Sequence, residues 1–483
     1  MHKGGQDMAS SAKRIDIVNG PMIPNILRFS LPLIATGMLQ LLYNAADNIV
    51  VGQFDGQTAL AAVGSTGSLI NLILNICMGL AVGSSVAVAQ DYGAGNKEGV
   101  QQTVHTSVLI SMIGGILVAF VGFFCSATFL RWMGSPENVL PLSTLYLKIY
   151  FLGTPASMVY NFCASMLRAM GDTKRPLYFL TISGFINVIL NLVFVIFFHM
   201  GVAGVALATI ISQYVSMVMV LVYMNRLDDC GKLDFRQLKI HKNKLIRVVQ
   251  VGLPAGLQGS VFSISNVVIQ SSINSFGSVV MSGSTAAGQL EGFVYISMNA
   301  LYQAALTFTG QNVGAGKIKK LHRVMLSCAA IVTVIGLVMG LGIYLFGEPL
   351  LEIYLPITEN PATEEAMQKN LENLKAIEYG MTRLQYVLLP YLLCGLMEVM
   401  VGCQRGMGMS VTPMITSMLG ACGIRIFWIY TFFTWYRSLP MLFISYPISW
   451  FITTAVHTLN YFRAHRNTKR LYLKEHPEAK ENL

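Results

Sequence analysis

Gln90-Asp91-Tyr92-Gly93-Ala94-Gly95 closes one long apolar run, and Gln311-Asn312-Val313-Gly314-Ala315-Gly316 closes another at an offset of 221 residues. Two further pairs keep the same order. Ser30-Leu31-Pro32 and Gly252-Leu253-Pro254 open apolar runs at an offset of 222, and Arg168-Ala169-Met170-Gly171 with Pro176 matches Arg405-Gly406-Met407-Gly408 with Pro413 at an offset of 237. Self-similarity at a near-constant separation marks a chain built from repeats. The larger third offset is taken up by the long segment 347–382 that precedes the last match. The chain therefore reads as two halves, 26–224 and 246–462, joined by a charged linker 225–245, with an N-terminal segment 1–25 and a tail 463–483.

Composition decides what the repeats are made of. Of 483 residues, 54% are apolar and 12% charged, whereas soluble chains carry about 25% charged residues. A soluble enzyme, a disordered scaffold and a nucleic-acid reader are excluded. The hydrocarbon core of a bilayer, about 30 Å thick, needs roughly 20 mostly apolar residues to cross it as a helix. Runs of that kind fall near 26–54, 58–86, 104–130, 143–168, 177–200, 202–224, 246–276, 284–311, 323–346, 383–404, 411–435 and 439–462, twelve in all. They are continuous and rich in Gly, Ala and Ser, unlike the short alternating strands of a membrane barrel. The first contains Pro32, Gln40, Asn44 and Asp47, which a cleaved signal peptide would not carry. The expected fold class is an all-α polytopic membrane protein, with twelve transmembrane helices in two pseudo-twofold-related six-helix lobes and a central cavity. Six spans per half make both halves enter the membrane from the same side, so the repeats are parallel and related by an axis along the membrane normal.

Lysine and arginine set the orientation. Assigned to alternating sides, 26 of the 33 basic residues fall with the two termini, six fall opposite, and Arg425 is left inside the eleventh run. The positive-inside rule then puts both termini in the cytoplasm. The net charge of +10 thus reports topology before it reports any anionic ligand. The outer segment 347–382 is acidic instead, with Glu348, Glu352, Glu359, Glu364, Glu365, Glu372 and Glu378, and reads as a solvated loop. The eight cysteines contain no Cys-x-x-Cys pair, and seven lie in apolar runs, where reduced thiols pack between helices. The eight histidines are dispersed and form no metal-spaced cluster.

Function has to come from the polar residues inside the apolar runs. Gln40, Asn44 and Asp47 are spaced i, i+4, i+7 and share one face of the first helix. A carboxylate at mid-bilayer costs about 2.5–3.5 kcal/mol on insertion scales, so such groups line cavities or relay ions. Asn187 with Asn191, and Asn71 with Asn75, are i, i+4 pairs, and Asn161 adds a further amide. These amides either face the cavity or hydrogen-bond helices together. In the second half Ile269 stands opposite Asp47 and Phe262 opposite Gln40, while Asn266, Gln270 and Asn274 keep a polar, uncharged face. Ion coupling is therefore expected in the N-terminal half. Glu291, Glu398 and Arg425 also lie within spans of the second half. Arginine stays charged at any accessible pH, so Arg425 is expected to pair with Glu291 or Glu398, as a structural ion pair or as a second coupling site. Pro32, Pro155, Pro254 and Pro390 each sit inside an apolar run, where a lost hydrogen bond favours a kink. A cavity rich in Met and Phe with a single carboxylate suits large amphipathic cations.

On these residues the chain resembles the multidrug and toxic compound extrusion (MATE) transporters over roughly 20–462, and within them the bacterial DinF-like branch. The resemblance is carried by the paired Leu-Pro openings, Ala59-Leu60-Ala61-Ala62-Val63-Gly64, Gln311-x-x-Gly314-Ala315-Gly316, Arg168-Ala169-Met170-Gly171-Asp172-Thr173-Lys174, and Glu398 ahead of Arg405-Gly406-Met407-Gly408. Asp47, in Tyr43-Asn44-Ala45-Ala46-Asp47, matches the family's first-span carboxylate and is implied to bind the coupling ion, which makes it an implied Na⁺ site if that ion is Na⁺. Gln40, Asn161 and Asn187 match polar residues of the same pocket. The chain departs from the pattern at Asn191, where the branch often carries a second Asp, and at Phe262, near another branch's carboxylate.

The resemblance implies a secondary active multidrug exporter that antiports organic cations or other amphipathic drugs against Na⁺ or H⁺ by alternating access. Some members of the wider superfamily flip lipid-linked oligosaccharides instead, which is the alternative; they tend to need basic cavity residues, for which Arg425 is the plain intramembrane candidate. Without a His-Glu-x-x-His, a Gly-x-Ser-x-Gly or a Walker A run, no enzyme or ATP-driven pump is expected. No cofactor is expected beyond the coupling ion. The expected partners are a small-molecule drug or organic cation and the lipid bilayer, with no nucleic acid. The chain is expected to act as a monomer in a bacterial inner membrane.

Overall fold

A computed structural model describes residues 14–54, 56–133, 137, 139–358 and 363–477, and among these the regular structure is entirely helical. Lys3 and Lys13 of the N-terminal segment, Glu359 of the acidic segment and residues 478–483 of the tail lie outside the described residues. In chain order the helices are α1 (Met22–Phe54), α2 (Gly56–Gly93), α3 (Lys97–Trp132), α4 (Leu140–Leu152), α5 (Thr154–Ala169), α6 (Lys174–Leu192), α7 (Gly201–Asn225), α8 (Lys242–Asn274), α9 (Ser278–Gly314), α10 (Lys320–Leu345), α11 (Gly347–Glu352), α12 (Glu364–Arg383), α13 (Leu392–Gly406), α14 (Val411–Ser417), α15 (Ile424–Trp428), α16 (Leu439–Phe443) and α17 (Ser445–Glu475).

Ten helical stretches among the described residues are long and apolar enough to cross a bilayer unaided. The remaining two of the twelve spans have local explanations. The span expected at 143–168 breaks at Gly153, with Pro155 in the first turn of α5, into pieces of 13 and 16 residues. α9 is 37 residues long, but its Ser, Gly, Asn and Gln residues and Glu291 dilute its apolar character. Pro32 and Pro254 lie inside α1 and α8 as expected of repeat equivalents. Pro390 sits in a 3₁₀ turn, Leu389–Tyr391, that follows a π-helical turn, Leu384–Leu388, between α12 and α13. The acidic segment 347–382 is not a plain loop: it holds α11 and α12, and Thr363 caps α12 by accepting the Ala366 amide at 3.2 Å. The tail is likewise helical as far as Glu475.

The repeat is visible in the backbone. Gly95 and Gly316 both have φ of +69°, and Gly171 and Gly408 have +88° and +86°, the left-handed conformation that closes a helix and favours glycine. The amides of Ala94 and Ala315 donate to Gln90 O at 3.0 Å and Gln311 O at 2.9 Å. The two copies also pack on each other. A Cβ added to Gly93 would lie 2.0 Å from Gln311 O, and one on Gly314 would lie 1.9 Å from Gln90 O. Such reciprocal contact between equivalent residues is what a twofold axis produces.

By its contacts the chain divides into Met1–Gly259 with Gly310–Gly316, and Ser260–Thr309 with Lys317–Leu483. In the first unit, Val88, Val104, Val159, Met166, Leu167 and Val220 form a buried core shared by α2, α3, α5 and α7. The first half of α8 joins this unit because glycines let it close on α2. A Cβ on Gly79 would lie 2.1 Å from Gly256 N, and one on Gly83 would lie 2.1 Å from Val248 O. Asn75 takes the helix-tying role, donating to Gly259 O at 3.4 Å. Lys244 Nζ meets Asp91 Oδ2 at 2.6 Å and Arg247 Nη2 donates to Gln90 Oε1 at 2.6 Å at the end of the same contact. The outward faces are apolar: α3 presents Ile113, Ile116, Leu117, Phe120 and Phe124 with 56–66% exposure, as a lipid-facing helix does.

Candidate functional site

Within the first unit, α1, α5, α6 and α7 line a half-open cavity of about 160 Å³. Gln40, Asn44 and Asp47 reach it from α1, Asn161 from α5 and Asn187 from α6, so five of the six expected residues line it, and Asn191 is not among the lining residues. The i, i+4, i+7 spacing aims the α1 side chains at one face. Asn191, one turn beyond Asn187, donates from Nδ2 to Asp47 Oδ1 and lies 3.3 Å from Asn187 Oδ1. Asn187 Nδ2 reaches Thr209 Oγ1 at 3.5 Å, and Asn161 Nδ2 donates to Ser157 O at 2.9 Å. Asn187 and Asn191 are 5% and 1% exposed, and Asn191 Oδ1 is buried with no hydrogen-bond partner. An unmet buried acceptor costs about 1–3 kcal/mol, which a bound cation or proton donor would recover.

Size separates ion from drug. At about 30 Å³ per water, the cavity has room for roughly five waters, below the ~300–1,000 Å³ of drug-sized pockets. Its donors are a carboxylate, amide oxygens and hydroxyls, all hard oxygen ligands suited to a monovalent cation or a proton relay. Sequence reasoning missed the wall supplied by α7, namely Thr209, Ser212, Gln213 and Ser216. Their i, i+3, i+4, i+7 spacing is the signal that finds them. It also missed Tyr43, whose hydroxyl donates to Thr181 O at 3.3 Å. Gly184 makes that placement possible, since a Cβ there would lie 1.9 Å from the Tyr43 ring.

The second-half candidates do not line this cavity. Asn266 is exposed, and Gln270 donates from Nε2 to Asn274 Oδ1 at 2.9 Å. Glu291 is buried and already matched: Arg383 Nε donates to its Oε1 at 2.7 Å and Nη2 to its Oε2 at 2.9 Å, while Nη1 donates to Ser284 Oγ at 2.7 Å. Arg383, the last residue of the acidic α12, therefore turns inward. Arg425, for which Glu291 or Glu398 is the expected partner, instead donates from Nε to Ser449 Oγ at 2.8 Å and lies over the rings of Tyr446 and Trp450, at 4.2 and 5.2 Å. π-helical turns, Met418–Gly423 and Ile429–Phe433, flank it and set its rotation toward those rings. Glu398 lies within electrostatic reach of Arg405, Tyr295 and Tyr302. The eight cysteines are free thiols. Among the described residues no group of three or more His, Cys, Asp or Glu could hold a metal ion.

Residues 32–193 and 254–431, the two repeats, match MatE. The chain belongs to the MatE family. Other MatE-like proteins share its length. YoeA of Bacillus subtilis (strain 168), described as a probable multidrug resistance protein, is 28% identical over 82% of this chain and 84% of its own. A FAD transporter of Shewanella oneidensis is 25% identical over 71% of this chain and 76% of its own. An outward-facing multidrug resistance MATE family transporter of the MOP superfamily superposes with a TM-score of 0.85 over 95% of this chain and 99% of its own, at 22% identity. The MatE fold, with twelve transmembrane helices in two lobes, is thus that of a multi-pass membrane transporter.

Proposed function

We propose that this MatE protein exports amphipathic drugs, organic cations foremost, in exchange for inward Na⁺ or H⁺, with Asp47 as the coupling carboxylate and Asn187 and Asn191 beside it. The supporting observation is the Asp47 cavity, which is ion-sized and lined by amides and hydroxyls, together with Asn191, which donates to Asp47 and keeps a buried unmet oxygen. Binding either ion neutralises Asp47, and loss of that charge is the event that alternating access needs to sense. Relatives described as multidrug resistance proteins support drug export over other cargo. The 26 basic residues on the terminal side favour cytoplasmic termini in a bacterial inner membrane, and the chain is proposed to act as a monomer. Lipid-linked saccharide flipping has less support, because the Asp47 cavity carries an acid and no base and Arg425 is engaged by Ser449 and two aromatic rings.

The test is efflux of a fluorescent organic cation from proteoliposomes with a Na⁺ gradient and a pH gradient imposed separately. Transport under one of them names the ion. Transport of the dye that ignores both gradients would overturn the antiport reading.

A further inference from the structure

α17 runs well past the level at which its neighbour ends. The His322 and His465 rings lie 4.1 Å apart, and His465 Nε2 is 3.3 Å from Ile318 O, so residue 465 is level with the first turn of α10. From there to Glu475 the helix projects about 15 Å at 1.5 Å per residue. Arg463, Arg466, Arg470 and Lys474 are all exposed along it. At about 100° per residue they fall within an arc of roughly 80°, and Glu475 lies about 100° round from Lys474. The stripe is therefore basic, and it extends a helix that spans the membrane.

Beside this stripe, under the turn that follows α13, is a cavity of about 690 Å³. Its wall is half cationic and half apolar: Arg470, Lys474 and Asn467 on one part, Met409, Leu471 and Leu473 on the other. Leu471 is 59% exposed, and Leu459 and Phe462, lower on the same helix, are 61% and 50% exposed. A free anion would use the cations and gain nothing from the apolar wall. A lipid uses both.

We propose that this cavity seats the headgroup of an anionic phospholipid from the leaflet on the side of the chain termini. Arg470 offers a planar fork to the two non-bridging phosphate oxygens and Lys474 a point charge to the same anion. The Asn467 amide hydrogen-bonds the glycerol or headgroup hydroxyls, and Met409, Leu471 and Leu473 cover the first methylenes of an acyl chain. Basic clusters directly after a spanning helix are where anionic lipids gather. The site is remote in sequence from Asp47 and does not rest on the antiport reading.

The full-length protein in mixed micelles, titrated separately with phosphatidylglycerol and phosphatidylcholine and read by native mass spectrometry, tests the site. Each basic residue near an anionic lipid is worth about five-fold in binding. Arg470→Gln with Lys474→Gln is thus expected to weaken phosphatidylglycerol retention by about 25-fold at low salt, and less at high salt, with phosphatidylcholine unchanged. The paired control Lys369→Gln with Lys375→Gln, on α12, is expected to bind as wild type. Equal retention of the two lipids by the wild type, or wild-type phosphatidylglycerol retention by the double variant, would overturn the proposal. Full displacement of phosphatidylglycerol by millimolar inorganic phosphate would also overturn it, in favour of a soluble-anion site.

Discussion

Removing the Glu291 carboxylate tests the internal electrostatics of the second unit most directly. Arg383 spends all three of its guanidinium nitrogens on Glu291 and Ser284, at 2.7, 2.9 and 2.7 Å, with the two charged side chains only 12% and 9% exposed. Glu291→Leu strands a guanidinium that cannot shed its charge, at a cost of about 3–5 kcal/mol, and Arg383→Met strands the carboxylate at a similar cost. Replacing both with apolar residues of similar volume removes the desolvation penalty along with the attraction, so the double variant is expected within about 1 kcal/mol of wild type. The cycle should therefore give a coupling of at least ~3 kcal/mol. SDS-driven unfolding in mixed micelles, followed by tryptophan fluorescence, reads it, because Trp428, Trp435 and Trp450 all lie in the second unit. Additive losses, with coupling under about 0.5 kcal/mol, would refute the pairing. The Glu398→Leu and Arg425→Met cycle is the internal comparison, and its coupling is expected to be smaller, since Arg425 is held by Ser449 and two aromatic rings.

Three further outcomes are expected. Asp47→Asn keeps the side chain's size and removes its charge, so it should insert and fold while gradient-driven efflux in proteoliposomes falls to background; wild-type efflux would remove Asp47 from the coupling site. Gly93→Val and Gly314→Val should each cost at least about 1–3 kcal/mol by overpacking and lower folded yield on size-exclusion chromatography to a similar degree, because each Cβ would meet the other repeat's backbone oxygen; indifference of either would contradict the reciprocal contact. Burial, with help from neighbouring Asp229, pushes the Cys230 thiol in the linker above its ordinary value. The thiolate is the reactive form, so maleimide labelling of Cys230 should be slow at pH 7 and rise up to ten-fold per pH unit through pH 9. Asp229→Asn also frees Arg14, which pairs with Asp229 at 2.7 Å, and should speed labelling at pH 8; a slower rate would be the wrong sign.

The Asp47 cavity and the second-half charges show where sequence reading stops. Gln40, Asn44 and Asp47 were legible because their face is a property of one helix. Asn191 was legible as a neighbour of Asn187, but its hydrogen bond to Asp47 joins residues 144 apart. The α7 hydroxyls carry a helical spacing of their own, overlooked because Ser and Thr are common in packed membrane helices. Arg383 was misplaced for a related reason. It is the last residue of the acidic α12 and so reads as surface, yet the helix continues through a π turn and that side chain points inward to Glu291.

Taken by itself, the sequence determined the number of spans, the parallel two-fold repeat and the single carboxylate of the first half. Span length, charge bias and repeat offsets are one-dimensional quantities, set by what each segment can bury in hydrocarbon. The tertiary structure decided which charge meets which partner, that five polar residues from three helices share one small cavity, and that glycines bring the repeated motifs into reciprocal contact. Those outcomes depend on how each helix is rotated about its axis, which is set by the side chains and bare backbone that other helices press against it.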